Sequence, residues 1–142
     1  MLNRDEILAL IPHQGDMCLW DRVDAWDATH VRLSTTSHVR ACNPLRSDGV
    51  LRAVHLCEYG AQAMAVHGGV LARDGAGAAK AGMLVSLRGV SLYVARVDDV
   101  EDDLVCEAEL LAAGAGSQQY AFRIHCGERV LAEGRAAVIL QG

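Results

Sequence analysis

An α+β fold, in which an antiparallel sheet curls around one long helix, is the class that three features of this sequence predict. The stretch AVHLCEYGAQAMAVHGG (53–69) is apolar and helix-forming along its whole length. Four strand-like runs then follow one another, at 83–95, 103–112, 119–126 and 129–140. Ahead of the helix, VDAWDATHVRLSTTSHV (23–39) alternates Val31, Leu33, Thr35 and Ser37 against Arg32, Ser34, Thr36 and His38. That period of two marks a strand with one wet face. One strand, one apolar helix and a meander of strands bury their apolar surfaces best as a sheet wrapped over the helix.

Taken in order, NRDEILALI (3–11) places Ile7, Leu8, Leu10 and Ile11 behind an Asn3/Asp5 start signal, predicting a short helix that Pro12 stops. After a loop comes the strand over 23–39, and CNPLRSDG (42–49) is turn chemistry. The long helix is expected from about Val50 to His67, closed by Gly68 and Gly69. ARDGAGAAKAG (72–82) is expected to be a flexible loop. Between the last strands, HCGER makes a tight hairpin turn at Gly127 and AAGAGS (112–117) a looser one. No internal repeat is visible, and residues 1–142 are read as a single domain.

Composition then removes several function classes. With 142 residues, 51% of them hydrophobic and 22% charged, the chain can bury a core without disulfides or a metal. Its five cysteines (Cys18, Cys42, Cys57, Cys106 and Cys126) are odd in number and lack C-x-x-C spacing, against both a disulfide framework and a zinc site. Cys57 and Cys106 read as core fillers. A net charge of −5 lacks the electrostatic footprint of a nucleic-acid binder. No basic n-region precedes an apolar h-region, and no apolar run is long enough to span a bilayer. The expectation is a cytoplasmic protein with no membrane partner, no nucleic-acid partner, no metal and no cofactor.

Read by angle, the long helix sets Val54, Cys57, Ala61, Met64 and Ala65 on one side and His55, Glu58, Tyr59 and Gln62 on the other. Such a stripe can be the solvated face of an amphipathic helix. Its single carboxylate among neutral hydrogen-bonding groups is closer to the lining of a pocket, where a carboxylate suits general acid or base work.

Three segments carry a family likeness. LIPHQGDMCLWDRV (10–23) resembles the I-P-H-x-x-x-x-L-x-D-R-V opening of hotdog-fold 3-hydroxyacyl-ACP dehydratases. NPLRSDGVLRAVHLCEYGAQAMAVHGG (43–69) looks like their N-x-P-F-F stretch followed by a central helix with an E-x-x-A-Q signature, here Glu58, Ala61 and Gln62. RGVSLYVARVDDVEDDLVCEAEL (88–110) is similar to the strand, turn and strand before the family's final hairpin. Within the family the likeness is to the branch associated with aryl-polyene pigment synthesis, through its N-P-x-x-x-x-D-G lead-in and I-E-x-M-A-Q helix. The resemblance implies a hotdog fold, an acyl thioester substrate carried on acyl carrier protein or CoA, and a site at the interface of two protomers.

One part of the family pattern is absent. The typical member has a G-H-F-P-G segment whose His removes the C2 proton of the substrate, while the helix carboxylate of the partner subunit assists departure of the C3 hydroxyl. Asp48 and Gly49 stand there instead. Three histidines are candidate substitutes. His55 lies at i−3 from Glu58, so imidazole and carboxylate can touch along the helix, with a surface histidine as the alternative. His13, in the opening motif, can equally make a structural hydrogen bond. His38 falls on the wet side of its strand, where exposure is expected. Asp48 is a further candidate. Glu58 and His55 are thus the expected catalytic pair, with Gln62 orienting the carboxylate.

For the substrate, the helix N-terminal turn at Gly49, Val50 and Leu51 is expected to offer unpaired N–H groups to a thioester carbonyl. Arg46, Arg52 and Arg88 are candidates for a basic doorway to an acidic carrier protein. Three activities fit these residues: a 3-hydroxyacyl-thioester dehydratase; an acyl thioesterase, which needs only one carboxylate and an oxyanion site; and a half-catalytic subunit that completes a site with another hotdog dehydratase. The chain is therefore expected to work as a homodimer or a heterodimer.

Overall fold

A computed structural model describes residues 1–75, 81–114 and 116–141. Helix α1 (Arg4–Leu8) opens with a capping box, in which Asn3 accepts from the Glu6 amide at 3.0 Å and Glu6 accepts from the Asn3 amide at 3.2 Å. Strands β1 (Arg22–Trp26) and β2 (His30–Thr35) follow, then the long helix α2 (Leu56–Arg73). Strands β3 (Ala81–Leu92), β4 (Leu104–Ala113), β5 (Ser117–Cys126) and β6 (Arg129–Gln141) complete the chain. All six form one antiparallel sheet in the order β1-β2-β4-β5-β6-β3, with α2 packed on one face. This is the hotdog fold.

The core lies between helix and sheet. From α2 come Leu56, Tyr59, Ala63, Val66 and Val70; from the sheet come Leu33, Leu104, Cys106, Tyr120 and Ile124, all at most 1% exposed. Alternation explains this along β4, where Leu104, Cys106 and Ala108 face inward and Glu107 and Glu109 face out. Each fully buried Leu or Ile contributes roughly 1.5–3 kcal/mol.

Three expectations about the elements are corrected. The strand expected over 23–39 is a hairpin, because Asp27 breaks it: its Oδ1 accepts from the amides of Thr29 (2.9 Å) and His30 (2.8 Å). At the far end the chain leaves the sheet after Thr35 for a 3₁₀ turn (Ser37–Val39) that rotates His38 inward, so His38 is 0% exposed and not on a wet face. Third, α2 starts at Leu56 rather than near Val50, and it runs through Gly68 and Gly69 to Arg73. The glycine that ends it is Gly75, whose φ of +81° follows the cap residue Asp74. Gly69 serves packing instead: a Cβ there would lie 2.9 Å from both Cβ and O of Leu10. Of the loop expected over 72–82, residues 72 and 73 belong to α2 and 81 and 82 to β3, and residues 76–80 lie outside the described residues, as does position 115 of the turn expected at 112–117. The turn at Gly127 is as expected, with φ +56°.

Candidate functional site

The segment from Ile11 to Trp20, between α1 and β1, lies against α2 and is held by side chains from three sides. Arg4 donates to the carbonyls of Gly15 (2.6 Å) and Cys18 (3.0 Å). Gln14 donates to those of Leu8 (2.9 Å) and Ile11 (3.2 Å). From α2, Gln62 accepts from the Leu19 amide at 3.0 Å and donates to the Met17 carbonyl. Trp20 donates to the Tyr59 carbonyl at 2.9 Å and meets the Tyr59 ring edge-on at 5.5 Å.

Tyr59 and Gln62 are therefore buried, at 0% and 1% exposure. The Ser37 hydroxyl donates to the Leu19 carbonyl (2.7 Å), which leaves its oxygen to accept from the Tyr59 hydroxyl (2.8 Å). Asn43 donates to the Tyr59 oxygen at 2.9 Å. Burial pushes the Tyr59 phenol up from its ordinary value despite these hydrogen bonds. The expected polar stripe thus divides. Tyr59 bonds the Ser37 and Asn43 side chains inside the protein, Gln62 holds loop backbone there, and Gln62 does not orient the carboxylate.

Glu58 faces the open side of α2, beside half-buried Cys57, Ala61 and Ala65 and exposed Val54. Its neighbour is His13: Nε2 stands 3.7 Å from Glu58 Oε1, with the two side chains 30% and 38% exposed. That distance is an ion-pair contact, longer than a hydrogen bond. His13 Nδ1 is screened from solvent and has no hydrogen-bond partner among the described residues.

His55 occupies the N-cap position of α2, half-exposed, and makes no side-chain hydrogen bond or ion pair among the described residues. The contact expected from its i−3 spacing is made instead by His13, from another element. His38 is bonded through Nε2 to the Val100 carbonyl at 2.9 Å, and burial lowers its pKa below the usual histidine value. Asp48 and Gly49 are the centre of a tight reversal, with φ of +54° and +74° and mutual Ser47–Val50 backbone bonds of 2.9 and 3.0 Å. Two of the three amides expected to polarise a carbonyl are occupied. Val50 N–H goes to Ser47 and Leu51 N–H to Asp98 Oδ1 at 2.9 Å, because α2 starts further along the chain.

Arg46 is likewise engaged, donating to the carbonyls of Val39, Arg40 and Gly49 and standing 3.7 Å from Asp98. Arg52 is exposed and bridges through its backbone to Arg96. Arg88 is exposed on β3 directly opposite Arg135, beside a cavity of about 490 Å³. Sequence reasoning missed Asp98, which ties the segment entering α2. The Arg96 guanidinium, then burial working against it, then the Leu51 amide hold its carboxyl well below the usual carboxylate range. No signal in DDV distinguishes Asp98 from Asp99.

A cleft of about 500 Å³ opens elsewhere, lined by His30, Glu107, Arg123, Glu133 and Arg135 among others. None of its lining residues comes from α2 or from the 11–20 segment. Three of its charges are paired, Arg123 with Glu133 at 3.0 Å, and Glu107 with Arg32 and His125 outside the lining at 3.2 Å. Among the described residues, no group of three or more His, Cys, Asp or Glu side chains is placed to hold a metal ion, and no helix is long and apolar enough to cross a membrane.

The ApeP-like family model, described as ApeP dehydratase, matches residues 5–141. The chain belongs to the ApeP-like dehydratase family. Among solved structures, a chain of the dehydratase heterocomplex ApeI:P from Xenorhabdus doucetiae matches with a TM-score of 0.84 and 25% identity, over 100% of this chain and 93% of that one. A thioesterase family protein from Silicibacter pomeroyi matches at TM-score 0.67 and 20% identity, over 96% of this chain and 93% of that one. A hypothetical thioesterase with coenzyme A from Streptococcus pneumoniae matches at TM-score 0.61 and 16% identity, over 85% of each chain. The last two show the shared fold. No curated protein matches the sequence.

Proposed function

We propose that this dehydratase-like chain removes water from 3-hydroxyacyl thioesters as one subunit of a two-chain hotdog enzyme, with His13 and Glu58 as its acid–base pair. The observation that carries the reading is the 3.7 Å approach of these two side chains on the open side of α2. In the elimination, neutral imidazole accepts the C2 proton, and the C3–O bond breaks as the hydroxyl takes a proton from the carboxylic acid form of Glu58. A C2–C3 double bond and water result, leaving imidazolium beside carboxylate. Loss of one proton from the imidazolium to solvent and gain of one by the carboxylate restore both groups, so the histidine missing from the Gly-His segment is not needed for a complete cycle.

The matched ApeI:P structure, a heterocomplex by its name, supports a second hotdog chain as partner. Two surfaces are open to it: the α2 face around Glu58, where Val54 is 54% exposed, and β3, which ends the sheet. The acyl group would arrive on acyl carrier protein or CoA, in cytoplasmic synthesis of a polyene-type chain, as family membership suggests. A thioesterase would have to find its oxyanion donors away from Val50 and Leu51, whose amides are already bonded.

The test is to follow hydration of a 2-enoyl thioester, on carrier protein and on CoA, by this chain alone and mixed with the second hotdog subunit from the same organism. Turnover in the mixture, lost with Glu58→Gln in this chain, is expected. No conversion in any combination overturns the reading, and release of free thiol instead would replace it with the thioesterase.

A further inference from the structure

We infer that Gln62 is a positioning residue that sets the separation of His13 from Glu58, an inference that rests on the acid–base pair proposed above. His13 does little to place itself. Its Nδ1 has no partner among the described residues, and its Nε2 faces only Glu58, at 3.7 Å. The ring therefore takes its position from the backbone of the 11–19 segment. Arg4 of α1 and Gln14 of the segment tie the chain to itself and to α1, and none of their hydrogen bonds reaches the helix that carries Glu58.

Gln62 does. It sits one turn after Glu58 on α2, is 1% exposed, and uses both ends of its amide on the segment: Oε1 for the Leu19 amide at 3.0 Å, Nε2 for the Met17 carbonyl. An amide that accepts and donates at once fixes both the distance and the register of a backbone, where an apolar side chain of the same size would fix only the distance. Further along, Leu10 rests on Gly69 with no room for a Cβ, so the start of the segment is also pressed to the helix. Between these two attachments the chain carries His13 over Glu58. The Gln of the helix signature thus acts on the acid–base pair through the loop, without touching the carboxylate.

The experiment compares the NMR signals of the His13 ring in four proteins: wild type, Glu58→Gln, Gln62→Met and the double variant. Methionine keeps length and apolar bulk but can neither accept from Leu19 nor donate to Met17. Emission of buried Trp20 reports that the fold is intact. In the wild-type background Glu58→Gln is expected to move the His13 ring signals; in the Gln62→Met background that response is lost. Where the enzyme turns over, Gln62→Met lowers kcat on the order of 10- to 100-fold with KM little changed, since misplacement by about an ångström has that cost. Should Gln62→Met fail to fold, Gln62→Leu, which is smaller and likewise can neither accept from Leu19 nor donate to Met17, replaces it in the same comparison. A full His13 response to Glu58→Gln in the folded Gln62 variant overturns the inference. The ring signals need no turnover, so an inactive wild type would defeat the dehydratase reading while leaving this measurement decisive.

Discussion

A carboxylate three residues after one histidine on its own helix, and facing another from a neighbouring loop, has two possible partners. Geometry at Glu58 separates them, because His13 comes within 3.7 Å whereas His55, at the cap of α2, makes no ion pair among the described residues. Removing a general acid or base costs on the order of 10²–10⁴ in rate. His13→Gln and Glu58→Gln are each expected to lower kcat of the assembled enzyme by that order, and combining them should cost little more than either alone, because they act as a unit. His55→Gln is expected to leave kcat within about twofold, since a surface substitution away from the reacting groups changes little. Steady-state rates of the four variants decide it. A His55→Gln loss equal to that of His13→Gln would return the role to His55.

At the scale of elements, the glycines of α2 give opposite expectations for one substitution. Alanine is favoured over glycine inside a helix by about 1 kcal/mol. Gly68 has open space where a Cβ would go, so Gly68→Ala is expected to raise unfolding stability by about 0.5–1 kcal/mol. At Gly69 the new Cβ would meet Leu10 at 2.9 Å, and overpacking of roughly 1–3 kcal/mol outweighs the propensity gain. Gly69→Ala is therefore expected to destabilise, and paired urea denaturations of the two variants read the difference in sign.

The same pair shows what sequence alone conveyed. The long helix, the four later strands and the α+β class were legible because hydrophobic period and turn residues are local signals, and the hotdog fold was legible through the motif resemblance. Whether Gly-Gly ends a helix or seats a neighbouring chain is decided by Leu10, fifty-nine residues before Gly69, and no local pattern records that. The division of the polar stripe was hidden likewise: angle puts Glu58 and Gln62 side by side, but only the 17–19 backbone determines that one is buried and the other open. His13 was visible as a motif residue, and its partner was not, since the pairing crosses elements.

For the whole molecule, the sheet closes around buried polar groups as well as apolar ones, and this couples folding to pH. His67 on α2 bonds the Asp27 carbonyl through Nε2 at 2.9 Å and the Tyr120 hydroxyl through Nδ1 at 2.8 Å. The carbonyl can only accept, so the proton is on Nε2 and Nδ1 accepts from Tyr120. A second proton at Nδ1 would have to reverse that bond and leave the buried Tyr120 hydroxyl hydrogen without this acceptor. Burial, above all, holds both His67 and His38 below the ordinary value of 6.5. The folded state therefore releases these protons more readily than the unfolded state. Their contribution to stability is complete above pH 6.5, begins to fall once the unfolded histidines take up protons, and is lost as pH drops through the folded values. Asp21 adds nothing in this window. Burial raises its pKa, but hydrogen bonds from Thr36, Arg40 and Thr35 outweigh that and hold it below 3.8, so its contribution is lost only at more acid pH. Urea midpoints are accordingly expected to fall between pH 7.5 and 5.5. His67→Phe, which leaves Tyr120 and the Asp27 carbonyl without their partner, is expected to cost about 1–3 kcal/mol at pH 7.5 and to lose less than the wild type on acidification. Equal wild-type midpoints at the two pH values, or an unchanged pH dependence in His67→Phe, would show that buried histidine does not set the acid limit of this fold.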